Sequence, residues 1–313
     1  MAGVAHGHLA AAVTAAGGLG MVGVRGLEPV AWIREQTRLA AQAGPFGVGL
    51  LAWALGDDAS ALDTVLATGP RLVSISFGDP APYADDVHAS GALLAVQVQD
   101  TEAARTAIAA GADVLVVQGT EAGGHTGSAA TLPLLQAVLP LAEAAELPVL
   151  AAGGIATGRA IAGVLAMGAQ GAWIGTRFAA TRESAASDGA KRRIVAAGTA
   201  DTVHTHVFDV VQGAAWPDAF PGRALRNRFT DRWHGREHEL QSDLPRVRGE
   251  FQAALDDDDR DVAHVYAGQA SGAIDDLPRA AEVLTRLVTD TRHHLRHAAA
   301  LADGPPPNDR TTP

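Results

Sequence analysis

Short apolar runs alternate with amphipathic stretches of about ten residues along the first 180 positions of the chain. The apolar runs lie at 19–22, 46–50, 72–76, 93–98, 114–117, 149–152 and 171–174. Helix-period segments follow the first four of them, at 29–43, 59–68, 80–90 and 101–110. A near-continuous apolar strand is buried on both faces, and strands alternating with helices read as βαβ units of a parallel sheet. The pattern therefore predicts an α/β fold, a (β/α)8 or TIM-type barrel. Seven strands are counted, and only residues 1–3 remain ahead of a first helix at 7–16. The first strand is expected to be truncated or absent, leaving the 19–22 and 171–174 strands on either side of an incomplete seam. Unpaired strand edges are poorly tolerated inside a protein. The natural chain is thus expected to extend upstream, or another segment or a second subunit to fill the gap.

The rhythm stops after Phe178. Residues 185–261 are richer in Arg, His, Asp and Trp and read as an inserted lid. The barrel then comprises 1–184 plus 262–303. The four aspartates at 256–259 read as a solvated loop that closes the insertion. An amphipathic helix is expected over 277–301, and a disordered tail over 304–313.

Composition narrows the classes of function. The 313 residues suit one barrel with an addition of roughly sixty to eighty residues. A formal charge of −11 argues against nucleic acid or an anionic membrane as partner. No apolar run is long enough to span a bilayer, and the charge-poor first 24 residues lack the basic start of a signal peptide. A cytoplasmic enzyme is the expectation. With no cysteine there is no disulfide framework, no thiolate metal site and no thiolate nucleophile. Lys191 is the single lysine and lies beyond the last strand, which argues against Schiff-base chemistry. No metal site is expected: His204, His206, His293, His294 and His297 lack carboxylates at ligand spacing and read as solvated surface.

Candidate chemistry sits at the strand ends. The run at 114–117 opens into Gln118–Gly127 (QGTEAGGHTG), which puts His125 at the carboxyl end of a strand, where α/β barrels do their chemistry. Glycines allow close approach of the backbone, and imidazole titrates near neutral pH. Taken alone, the motif fits equally well a glycine-rich turn with an incidental histidine. The next two strands end in Gly153–Gly154 and Gly175–Thr176. Loops after the last two strands of such a barrel frequently bind phosphate through backbone amides and a helix start, and these residue types suit that task. Gly268–Gln269 either returns the chain to the mouth or is an ordinary connecting turn.

These motifs carry a resemblance. Met1–Gly3, Ala15–Gly20 (AAGGLG), Ser76–Pro80 (SFGDP), Gln118–Gly127, Ala151–Arg159, Gly175–Phe178 (GTRF) and Ala267–Gln269 occur in an order that resembles the nitronate monooxygenase family, FMN-dependent barrels with a small lid. The resemblance implies FMN, with its phosphate on Gly153, Gly154, Gly175 and Thr176. It implies further cofactor contacts from Ala2, Gly3, Gln97, Gln118, Gly123, Gly124, Ala152 and Gln269, with Gln97 and Gln118 reaching the flavin ring. His125 would be the catalytic residue facing a nitronate or nitroalkane. The implied reaction is oxidation of an alkyl nitronate by O2 to a carbonyl compound and nitrite, and the resemblance allows a homodimer. One departure is Gly49, where many relatives carry Asn. Two alternatives stay open: an FMN-dependent enoyl-thioester reductase using NAD(P)H, and a flavin-free barrel acting on a sugar phosphate as isomerase or lyase.

Overall fold

A computed structural model describes residues 1–56 and 60–302. The expected tail at 304–313 lies outside the described residues. Among the described residues ten strands form: β1 (Gly20–Gly23), β2 (Phe46–Leu51), β3 (Leu72–Ser76), β4 (Leu93–Val98), β5 (Val114–Gln118), β6 (Gly124–His125), β7 (Val149–Ala152), β8 (Gly171–Trp173), β9 (Thr202–Thr205) and β10 (Gly222–Leu225). Seven of them make one curled parallel sheet in the order β1-β2-β3-β4-β5-β7-β8. This is the expected barrel without its first strand: β1 and β8 are the two edges and do not pair with each other.

Side-chain direction alternates along a strand, so every second residue faces the same way. Val22, Val48, Leu50, Val73, Ile75, Leu94, Val96, Leu115 and Val117 face outward into the main core under the surrounding helices. Leu72, Ala95, Val116 and Ala152 face inward and pack with Met21, Leu150 and Trp173. Carrying the inward parity to the carboxyl ends puts Gly49, Ser76, Gln97 and Gln118 around the mouth. The interior is therefore apolar below and small or polar on top, and this polarity prepares a site.

The N-terminal residues lie across the seam. The N–H of Gly23 donates to the carbonyl of Ala5 at 2.9 Å, and the N–H of Ala185 to that of Val4 at 3.0 Å. A methyl group on Gly23 would collide with Ala2 at 2.7 Å, and one on Gly175 would meet Met1 Sδ at 3.2 Å. Residues 1–5 thus touch the ends of both edge strands. The first helix, Gly7–Ala15, packs behind β1, and the long helix Ala280–Ala302 packs on Gly158–Ala166. That last helix starts later than the sequence pattern suggested, because Leu277 and Pro278 still run as a loop whose carbonyls accept from Arg182.

A second, smaller sheet is antiparallel, in the order β6-β10-β9, with Gly222 paired to both His125 and Thr205. Behind it the helices Val207–Gln212, Arg228–Trp233, Glu237–Ser242 and Leu244–Asp256 bury Phe208, Phe229, Trp233, Leu240 and Phe251 in a core of their own. Asn227 and Thr230 form a reciprocal cap at the start of one of these helices. The helix Asp188–Ala196 instead packs toward the barrel, through Ala190 and Ile194 against Ala179, Ala180 and Ala267. The aspartate run corrects one expectation. Asp258 is not simply solvated: it accepts from Gly189 N at 2.8 Å and Arg260 Nε at 2.6 Å, and it bonds the Ser187 hydroxyl. These donors hold its carboxyl below the usual range, against the opposing effect of burial.

Candidate active site at the barrel mouth

The loop after β5 is fastened at each end before it presents His125. Glu121 accepts from Thr131 N at 2.9 Å and from its hydroxyl at 2.8 Å, and its carbonyl accepts from Gln269 N at 2.9 Å. Gly123 runs against residues 267–268 so closely that a Cβ would stand 2.5 Å from Gly268 N. Gly124 follows in the left-handed region, at φ 82°, where an L side chain is strained. His125 then leaves the barrel altogether and becomes an edge of the small sheet. Arg223 of β10 fixes the same loop, donating from Nε to the carbonyl of Thr120 and from the guanidinium tip to the hydroxyls of Thr120 and Thr202.

His125 is 8% exposed, low enough that its hydrogen bonds must come from protein or ligand. Its Nε2 lies 2.9 Å from Asp209 Oδ1, and both side chains are buried. Trp216 stacks on the imidazole at 3.4 Å between centroids with the planes 4° apart. Trp53 and Phe77 pack against that indole, and Phe220 packs in turn on Phe77. The carbonyl of His125 accepts from Gln118 Nε2 at 3.3 Å, and Gln118 in turn accepts from Gln99 Nε2 at 3.1 Å. Asp209 Oδ2 is buried with no hydrogen-bond partner among the described residues; His206 Nδ1 is 3.6 Å away.

On the adjoining arc of the mouth the chain offers backbone instead of side chains. Gly153 and Gly154 have φ of 101° and 68°, and Gly175 leads into the short helix Thr176–Ala179. Among the described residues, the N–H groups of Gly153, Gly154, Gly175 and Thr176 make no hydrogen bond. β7 and β8 are paired neighbours, with Ala152 opposite Trp173, so the two glycine turns stand side by side. Thr176 Oγ1 accepts from Gly268 N at 3.0 Å, which ties residues 267–269 to the same arc. Arg177 turns away into protein, onto Asp276 at 2.9 Å.

The sequence-derived residues therefore gather at one end of the barrel. Gln97, Gln118, Gly123, Gly124, His125, Ala152, Gly153, Gly154, Gly175, Thr176 and Gln269 all come from strand ends or from loops bonded to them. Ala2 and Gly3 lie at the seam near the ends of β1 and β8. Gln118 spends its amide on Gln99 and on the carbonyl of His125, so it holds the loop. His204 is not solvated surface: its Nε2 lies 3.0 Å from Thr126 Oγ1, and burial pushes its pKa down. Sequence reasoning missed Asp209, Trp216 and Arg223. No local pattern marks them, since each reaches His125 or its loop from a part of the chain at least 84 residues away. No group of three or more His, Asp or Glu among the described residues could hold a metal. No described helix is long and apolar enough to cross a membrane.

Comparison with known proteins decides the family. The family model described as nitronate monooxygenase matches residues 53–290. This chain belongs to the nitronate monooxygenase family. The chain is 32% identical to a nitronate monooxygenase of Pseudomonas aeruginosa, over 93% of this chain and 94% of that protein. It is 30% identical to the (3aS,4S,5R,7aS)-5-hydroxy-7a-methyl-1-oxo-octahydro-1H-indene-4-carboxyl-CoA dehydrogenase of Mycobacterium tuberculosis, over 96% of this chain and 93% of that one. The solved structure of FabK from Thermotoga maritima superposes with a TM-score of 0.81 at 28% identity, covering 96% of this chain and 93% of that one. This member of the nitronate monooxygenase family is accordingly an oxidoreductase with the family's barrel.

Proposed function

We propose that the chain binds FMN and oxidises alkyl nitronates with O2 to a carbonyl compound and nitrite. The observation that carries this reading is a set of four unspent backbone amides standing beside a buried, carboxylate-paired histidine at one barrel mouth. Unspent N–H groups at glycine turns and at a helix start suit a phosphate dianion. The ring end has room as well: nothing lies within 4 Å of a Cβ built on Gly49 or on Gly124. The residues present therefore fit FMN, with Gly153, Gly154, Gly175 and Thr176 on the phosphate and Gln97 and Gly124 toward the ring. When bound, FMN supplies the redox chemistry between nitronate and O2.

The chain's own residues do the rest. His125 faces the substrate, where it takes the α-proton of a neutral nitroalkane or holds the nitro oxygens of the anion. Trp216, Phe77 and Phe220 keep water from that side of the mouth. The test is anaerobic mixing of the yellow holoprotein with propionate 3-nitronate. Bleaching of the flavin absorbance without NAD(P)H is the expected result.

A second reading is favoured by the near full-length match to a CoA-thioester dehydrogenase. In it the same cradle and His125 serve an FMN-dependent oxidoreductase of acyl thioesters, such as an enoyl-thioester reductase using NAD(P)H. Rapid bleaching by NADH or NADPH and none by the nitronate would select that reading. Colourless protein that takes up no FMN would overturn both and leave a sugar-phosphate barrel.

A further inference from the structure

His125 has two ring nitrogens, and only one can be a base. The partner of Nε2 points to which. An ionised carboxylate only accepts hydrogen bonds, so Asp209 Oδ1 at 2.9 Å requires a proton on Nε2. In the neutral ring the lone pair then belongs to Nδ1. We propose that Asp209 is a positioning residue for this site: it accepts from Nε2–H, holds the ring in one tautomer, and leaves Nδ1 to meet the proton of a neutral nitroalkane. The proposal rests on the reading of His125 as the substrate-facing base.

Three observations support a functional carboxylate over a merely structural one. First, Asp209 Oδ2 is buried and without a hydrogen bond among the described residues. Native proteins rarely leave a buried carboxylate oxygen unpartnered, because the lost hydration is not recovered. Second, Asp209 sits in the first turn of the helix Val207–Gln212, yet its carboxylate bonds none of that helix's N–H groups. It reaches across to His125 instead, 84 residues away in sequence. Third, Trp216 lies flat on the imidazole at 3.4 Å. The indole fixes the plane of the ring, and the short contact with Asp209 selects which of the two flips within that plane is occupied. The neighbouring titratable groups do not compete: His206, Tyr266 and His264 make no hydrogen bond to His125 among the described residues.

The proton transfer balances simply. The α C–H of the nitroalkane breaks, its electron pair stays on the substrate as the nitronate, and the proton moves to Nδ1. The imidazolium that forms has its charge opposite Asp209. A preformed nitronate has no such proton to lose, so it does not need this step.

The test combines a spectroscopic readout with a split of activities on the FMN-loaded protein. In 15N-edited spectra of the imidazoles, assigned by loss of one signal set in His125→Asn, the neutral ring of His125 should show Nε2 protonated and Nδ1 bare. In Asp209→Asn the side-chain amide can donate to Nε2, which forces the proton onto Nδ1. Turnover of neutral nitroalkane should then fall by about 10²–10⁴-fold, while oxidation of preformed nitronate stays within about tenfold. Asp209→Glu, which keeps the carboxylate, should restore part of the loss. A bare Nε2 in the unaltered protein overturns the proposal, as does undiminished nitroalkane turnover in Asp209→Asn. Equal loss on both substrates overturns it too, since that is the mark of a structural role. The spectrum of the unaltered protein decides the matter if Asp209→Asn fails to fold. A His125→Asn variant that loses neither activity would sink the reading of His125 as base, an outcome separate from the position of the proton on its ring.

Discussion

The two arcs of the barrel mouth are built on opposite plans. The arc at the ends of β7 and β8 is backbone: glycines at positive φ and unspent amides, set by two adjacent parallel strands. The arc around His125 is side chain: a carboxylate, an indole and a guanidinium converge there, all from residues 209–223. The first needs only the absence of side chains and therefore writes a local signature. The second needs partners brought together from far apart and writes none. Under the proposed function, the first arc holds and the second does the chemistry. A backbone arc can stay constant while residues 202–233 change what surrounds the histidine.

Breaking the side-chain arc should cost most. His125→Asn keeps a hydrogen-bond donor and removes the proposed base. Steady-state rates on neutral nitroalkanes should drop by about 10²–10⁴-fold, with much of the nitronate activity retained. Equal losses on both substrates would instead mark His125 as an electrostatic anchor.

The same region should also be the acid-sensitive one. His264 packs at a tilt against Tyr266 and on Phe251, and burial, aided by the Arg260 charge, pushes its pKa down to about 4. Its folded value lies below the unfolded value of 6.5, so the unfolded chain binds the proton first as pH falls. Stability is therefore full above about 6.5 and is lost progressively down to about 4. Between pH 7 and pH 5 this one group should remove about 2 kcal/mol. His264→Phe suits the aromatic neighbours and abolishes that loss. Urea unfolding of the two proteins at both pH values measures the difference.

The backbone arc is probed best at Gly175. Gly154 has φ of 68°, so any substitution there mixes backbone strain with a blocked cradle. Gly175 has φ of −102°, and a Cβ meets only Met1 Sδ, at 3.2 Å, the end of a flexible side chain. Gly175→Val should thus fold, yet bind FMN at least about tenfold more weakly, roughly 1.4 kcal/mol. Flavin titration by fluorescence reads this directly, and unchanged affinity would remove Gly175 from the cradle.

The smallest effect should come from Gly49, on the open part of the mouth. Nothing lies within 4 Å of a Cβ placed there. Gly49→Ala should leave the melting temperature unchanged or slightly higher, by at most about 1 kcal/mol of added stability. A clear loss of stability would show that the mouth is closed at that point.

The barrel was legible because its strands are buried on both faces. Runs such as Val73–Ile75 and Leu115–Val117 need no partner identity to declare themselves, and the predicted strand spans at 72–76 and 93–98 match β3 and β4 without adjustment. The glycine turns were legible for a related reason, because positive φ and close approach restrict the residue type at the position itself. Within the aspartate run at 256–259 only Asp258 departs from a solvated loop, since an acidic residue looks the same in sequence whether water or Ser187, Gly189 and Arg260 surround it.

By itself, then, the sequence determined the seven-stranded parallel sheet, the open seam at its start, and the glycine arc with His125 at the strand ends. Each of these follows from periodicity or from a constraint acting on one residue. Only the tertiary structure decided that the His125 loop leaves the barrel to join β10, that Asp209 meets its Nε2, and that Trp216 covers its face. Pairing across 84 or more residues depends on how two separately folded cores dock, and no local pattern of apolar and polar residues encodes that distance.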